Sequence, residues 1–137
     1  MTSGHPPGLP EFFLDRSLGR RPGARTDAAA GIRLRTLAEE YGIPADEEVP
    51  DTEWLAYAGH NGWPVLMKDE RIRYRPAEQA VVASHGVQAF FLTSGNLRAA
   101  AMADQYLSAM DEIALACREA WPFLYAVSGS GIRRVSL

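Results

Sequence analysis

Three short apolar bursts punctuate the chain, each too short for a helix. They are Phe12-Phe13-Leu14 within Glu11 to Leu14, then Pro64 to Met67, then Gln88 to Leu92. Brief apolar runs bounded by turn formers read as buried strands. The first two end in a carboxylate, at Asp15 and at Lys68-Asp69, and the third ends in Thr93-Ser94-Gly95-Asn96. Ile32 to Leu37 alternates apolar and polar residues, the period of an edge or exposed strand. Between these lie helical stretches. One should begin at Pro22, since proline suits a first helical position, and end at Gly31. A second opens at Asp51, placed as an N-cap, with Trp54, Leu55 and Ala58 on one face and Gly59 and Gly62 as stops. Pro76 to Ser84 is a third. Leu97 to Glu119 is the clearest, with Met102, Tyr106, Met110, Ile113 and Cys117 recurring every three or four residues. Tyr41 to Pro50 is a loop. Pro122 to Val127 and Gly131 to Leu137 flank a Gly-Ser turn, which predicts a terminal hairpin. Alternating strands and helices predict a three-layer α/β/α domain with a mainly parallel sheet and a C-terminal β-hairpin.

Composition narrows the picture. The chain has 137 residues, 47% of them apolar, enough for one domain with a core. We place that domain over 11–137, after a Pro- and Gly-rich tail over 1–10. The formal charge of −3 means that a nucleic-acid partner must be held by a local basic patch. One cysteine, Cys117, excludes an internal disulfide and suits a reducing cytoplasm; its place on the apolar stripe makes it a small buried hydrophobe. No secretory leader is visible, and no apolar run nears the ~20 residues that cross a bilayer.

The chemistry concentrates in acids. In a parallel sheet, residues just past the strand ends converge on one edge. Asp15 and Asp69 follow two such strands, and Asp51, with Glu53 close by, opens a helix that can point to the same edge. Clustered carboxylates repel unless a cation lies among them, and hard oxygen donors suit Mg²⁺ or Mn²⁺. Plain structural readings stand beside this one. Asp51 is an ordinary N-cap residue, and Glu53 is favoured by the helix dipole. Basic residues surround the acids: Arg16, Arg20 and Arg21 after Asp15, and Lys68, Arg71, Arg73 and Arg75 around Asp69. They could bind phosphates, or simply be a solvated charge run. His5, His60 and His85 lack metal-ligand spacing. Trp54, Trp63 and Trp121 read as core, and Ser94 or Asn96 as the cap of the long helix.

Four segments, in this order, resemble a PIN-like family related to VapC-type toxins. They are Phe12-Phe13-Leu14-Asp15-Arg16-Ser17-Leu18-Gly19-Arg20-Arg21, Pro50-Asp51-Thr52-Glu53-Trp54-Leu55, Val65-Leu66-Met67-Lys68-Asp69-Glu70-Arg71-Ile72-Arg73-Tyr74, and Phe90-Phe91-Leu92-Thr93-Ser94-Gly95-Asn96-Leu97. The resemblance implies a PIN-like fold and an Mg²⁺- or Mn²⁺-dependent endoribonuclease. On this chain the catalytic, metal-holding acids would be Asp15, Asp51 and Asp69, with Glu53 a fourth ligand. Arg16, Arg20, Lys68, Arg71 and Arg73 would bind RNA. Many such relatives are toxins held inactive by an antitoxin protein, and homodimers are common among them. The pattern departs at the fourth strand, where Thr93-Ser94 stands in place of a further acid, so that Glu70 or Glu53 would have to serve.

Two other readings compete. A non-catalytic PIN-like module would keep the fold and use the basic rim to bind RNA or protein. A receiver-type signalling domain would use Asp15, Asp69 and Thr93, but it needs a lysine at the last strand end, where this chain has Ser128 and no lysine after Lys68.

Overall fold

The structure, a computed structural model, describes residues 11–15, 33–68, 70–94 and 97–137. The expected tail over 1–10 and the helix from Pro22 to Gly31 lie outside them. Among the described residues six strands form one sheet: β1 (Phe12–Leu14), β2 (Leu34–Arg35), β3 (Val65–Met67), β4 (Gln88–Leu92), β5 (Phe123–Ser128) and β6 (Gly131–Val135). Their order across the sheet is β2-β1-β3-β4-β5-β6. All neighbours pair in parallel except β5 and β6, which form the antiparallel C-terminal hairpin.

Each apolar burst is a central strand because both of its faces are covered. Successive side chains of a strand point to opposite faces. Phe12, Leu14, Leu66, Phe90, Leu92, Phe123, Tyr125 and Val127 therefore share one core, packed under α4 (Ala99–Ser108) and α5 (Met110–Ala116). Phe13, Val65, Met67, Ala89, Phe91, Leu124 and Ala126 share the other. That second core is covered by α1 (Leu37–Tyr41), α2 (Asp51–Asn61) and α3 (Pro76–Ser84). The molecule is thus a three-layer α/β fold. Phe12, Phe13, Phe90 and Phe91 are wholly buried, and each such side chain contributes about 1.5–3 kcal/mol.

Local chemistry redraws some expected boundaries. Among the described residues of the alternating run Ile32 to Leu37, two are in a strand, at the sheet edge. Thr36 then starts α1 with a reciprocal capping box: its hydroxyl accepts the Glu39 N–H at 3.1 Å, and the Glu39 carboxylate accepts the Thr36 N–H at 3.0 Å. The loop from Tyr41 to Pro50 contains one 3₁₀ turn, Ala45–Glu47. α2 passes straight through Gly59 and ends at Gly62, whose φ of 72° makes it the left-handed cap. The long helix is two, parted at Ala109, where φ is −96° and ψ 3°. Neither proline nor glycine marks that break, and Met102, Tyr106, Ala109, Ile113 and Ala116 all remain buried on one side of it. The first of the two begins at Ala99 behind Arg98, with no side-chain cap. Ser94 does not cap it, and Asn96 lies outside the described residues. Trp121, read as core, is exposed in the turn before β5.

Candidate metal centre

β1, β3 and β4 run in parallel, so their carboxyl ends share one edge of the sheet, and α2 and α3 begin at that edge. Asp15 leaves β1 directly after buried Leu14. Its N–H donates to the Leu66 carbonyl at 3.0 Å, and its Oδ2 accepts the Lys68 N–H at 3.0 Å. One residue thus ties the ends of β1 and β3. Asp69 itself, with Arg16 and Arg20, lies outside the described residues.

Asp51 is the first residue of α2, and Pro50 occupies the cap position without a side-chain bond. The expected N-cap role is therefore corrected: proline at 50 shifts the helix start by one and leaves the Asp51 carboxylate for other partners. Its Oδ1 accepts the indole N–H of Trp54 at 2.8 Å, and its Oδ2 lies 3.5 Å from Nη1 of Arg75. The Trp54 ring stacks on Phe13, with centroids 5.7 Å apart and planes 13° off parallel. Phe13 stacks in turn on Trp63. This aromatic stack ties the strand that carries Asp15 to the helix start that carries Asp51.

Sequence reasoning missed Glu78. It is the third residue of α3, where an acid is commonplace, and only the packing of α3 on α2 reveals its neighbours. Its side chain is 15% exposed and lies 3.3 Å from Nη1 of Arg75. Burial holds its carboxyl above the usual range. The negative charges of Asp51 and, more weakly, Asp15 push the same way, against Arg75. Acids from β1, α2 and α3 are therefore close enough to feel one another. A PIN like domain family matches residues 10–94, more than half of the chain and the whole of this acidic edge. The chain belongs to the PIN-like family. It is 35% identical over 127 residues to "Putative ribonuclease VapC45" of Mycobacterium tuberculosis, covering 93% of this chain and 92% of that one. This places the PIN-like domain among relatives of VapC-type toxins. No solved structure matches it.

The other predicted site residues of the PIN-like domain take varied positions. Glu53 is exposed, and its charge acts on Tyr41 of α1, whose hydroxyl is raised first by burial and then by Glu53. Lys68 is partly exposed at the end of β3. Arg71 and Arg73 are exposed on the 3₁₀ segment Glu70–Tyr74, which buried Ile72 pins to the core. Arg73 pairs with Glu70 at 3.7 Å. Thr93, past β4, is exposed and donates its N–H to the Val127 carbonyl at 3.1 Å. Beneath the edge, the buried Tyr106 hydroxyl donates to the Met67 carbonyl at 2.6 Å, bracing the end of β3 from α4. Burial first, and the charge of Asp15 second, raise that phenol well above its ordinary value.

The donor set of the PIN-like domain fits a hard divalent cation. It is all oxygen, it is partly desolvated, and one cationic nitrogen already lies within 3.5 Å of both Asp51 and Glu78. Among the described residues no three acids, histidines or cysteines close on a single point. Asp69, which follows the Lys68 N–H bound by Asp15, is outside that set.

Proposed function

We propose that the protein is a divalent-metal-dependent endoribonuclease of the PIN-like type, acting in the cytoplasm as the toxin of a toxin–antitoxin pair. The observation that carries this reading is the tie between Asp15 and the Lys68 N–H. It sets the acid after β1 against Lys68, the residue before Asp69 in the chain, and Asp51 opens α2 nearby in the same fold. Asp15, Asp51 and Asp69 would hold Mg²⁺ or Mn²⁺, and Glu53 is the remoter candidate. When bound, such an ion supplies a water of lowered pKa and offsets charge developing on the phosphate.

The chain's own residues do the rest. Asp15 fixes the β3 end through its Oδ2. Trp54 orients Asp51 through its indole N–H. Lys68, Arg71 and Arg73, with Arg16 and Arg20, would hold RNA phosphates beside the acids. The likeness to VapC45 supports the ribonuclease reading and, through its toxin class, a protein antitoxin; homodimers fit the same class. Among the described residues no helix is long and apolar enough to cross a membrane.

A second reading, a binding module without catalysis, is favoured by Thr93-Ser94 at the β4 end, where the family pattern expects an acid. The deciding experiment incubates labelled structured RNAs with Mn²⁺ or Mg²⁺, with EDTA, Asp15→Asn and Asp69→Asn as controls. Metal-dependent cleavage that both variants lose is expected. Folded protein that binds RNA and cuts none under either metal would replace the nuclease with the binding module.

A further inference from the structure

Arg75 stands at the junction of two elements. It follows the 3₁₀ segment Glu70–Tyr74 and precedes Pro76, the first residue of α3. A residue before proline is driven out of the helical region, and Arg75 has φ −124° and ψ 89°. Its N–H donates to the Ile72 carbonyl, and its own carbonyl accepts from Glu78 and Gln79. The backbone is thus held on both sides, so Arg75 cannot move away as a whole. Its side chain is 45% exposed and can still swing toward solvent.

That side chain reaches two carboxylates from different helices with a single nitrogen. Nη1 lies 3.3 Å from Glu78 Oε2 and 3.5 Å from Asp51 Oδ2. An isolated pair three residues apart in a helix is an ordinary surface contact. This one differs in two respects. Its acid is largely buried, and the same nitrogen is shared with Asp51, the acid that the proposed function assigns to the metal. A guanidinium there performs the electrostatic task that a divalent ion performs, neutralising neighbouring carboxylates.

We propose that Glu78 is a further carboxylate of the metal-binding edge, and that Arg75 competes with the divalent cation for Glu78 and Asp51. The inference rests on the metal-dependent reading of the site. It makes metal affinity a balance that Arg75 weakens. A chain with the guanidinium removed binds the ion more tightly, and a chain without the Glu78 charge binds it more weakly.

The test is calorimetric titration of the full-length protein with Mn²⁺ in four forms: wild type, Arg75→Gln, Glu78→Gln and Asp15→Asn. Arg75→Gln is expected to tighten binding by roughly tenfold, since the pair is partly screened by solvent. Glu78→Gln is expected to weaken it by about tenfold or more. Unchanged or weaker binding by Arg75→Gln would overturn the competition, making Arg75 a residue that merely gathers the carboxylates. If Arg75→Gln does not fold, Glu78→Gln decides, and wild-type affinity in that variant sinks the proposal. Failure of the underlying reading looks different: wild type and Asp15→Asn would then bind Mn²⁺ equally poorly, and both ideas would fall.

Discussion

Asp15 carries two duties that substitution can separate. Its charge serves the proposed metal edge, and its Oδ2 accepts the Lys68 N–H at the end of β3. Asn keeps an acceptor oxygen of the same size. Asp15→Asn should therefore shift stability by less than about 1 kcal/mol, while metal-dependent cleavage falls by one to two orders of magnitude, about what lost metal-site contacts cost. Asp15→Ala should lose the same activity and also leave a backbone donor unmet, costing roughly 1–3 kcal/mol. Urea denaturation beside an RNA cleavage assay separates the two; equal stability losses in both variants would show that the Lys68 bond contributes little. Cys117 illustrates a quiet residue. Burial pushes its thiol from an ordinary 9.0 up to about 12. The folded chain therefore keeps its proton through the window between those values, where the unfolded chain has lost it. Iodoacetamide should modify native protein very slowly at pH 8, with the rate still climbing above pH 10, whereas denaturant should yield one fast thiol. Fast native alkylation at pH 8 would mark the thiol as open to solvent.

At the scale of elements, the α2–α3 layer sets how near Asp51 comes to Glu78, and Gly59 sets how closely that layer packs. A Cβ at Gly59 would sit 2.6 Å from the His85 carbonyl oxygen and 2.8 Å from Val87 Cγ2, and the first of these is backbone that cannot swing aside. Gly59→Ala should therefore destabilise by about 1–3 kcal/mol, despite alanine's better helix propensity. A thermal midpoint equal to wild type would mean that α2 has room to move out. This is also the scale at which sequence reading reaches its limit. The bursts at Phe12, Val65 and Gln88 were legible as strands because burial on both faces leaves an unbroken apolar run. Pro76 to Ser84 and the terminal hairpin were legible from proline and glycine punctuation. The edge strand was legible from its alternation, but its end was not, because the Thr36–Glu39 capping box starts a helix directly after Arg35. Asp15 was legible as a strand-end acid. Glu78 was not, since a glutamate in a first helical turn has a sufficient local reason to be there, and its functional neighbours lie 27 and 63 residues away along the chain.

For the molecule as a whole, the question is how a chain of net charge −3 would hold the RNA of the proposed function. Its long-range field repels RNA, and the acidic edge repels it further, so attraction must be local and short-range. Under the proposed function, Lys68 and, on a segment anchored by Ile72, which is 2% exposed, Arg71 and Arg73 would supply it. Each phosphate neutralised on a single strand contributes about 0.7 to the slope of log affinity against log salt. Arg71→Gln with Arg73→Gln should thus lower that slope by roughly 1.4 at most, and weaken binding about equally across RNA sequences. The Glu70 pair at 3.7 Å already occupies part of Arg73's charge, which sets the expected change below that ceiling. The measurement is filter binding of labelled single-stranded RNA at several salt concentrations, made in an Asp15→Asn background so that cleavage does not distort it. A slope unmoved by both substitutions would place the RNA track away from the β3 edge. The exposed Arg133 and Arg134 of β6 would be the next positions to replace, although Arg134 is already engaged with Glu119 at 3.1 Å.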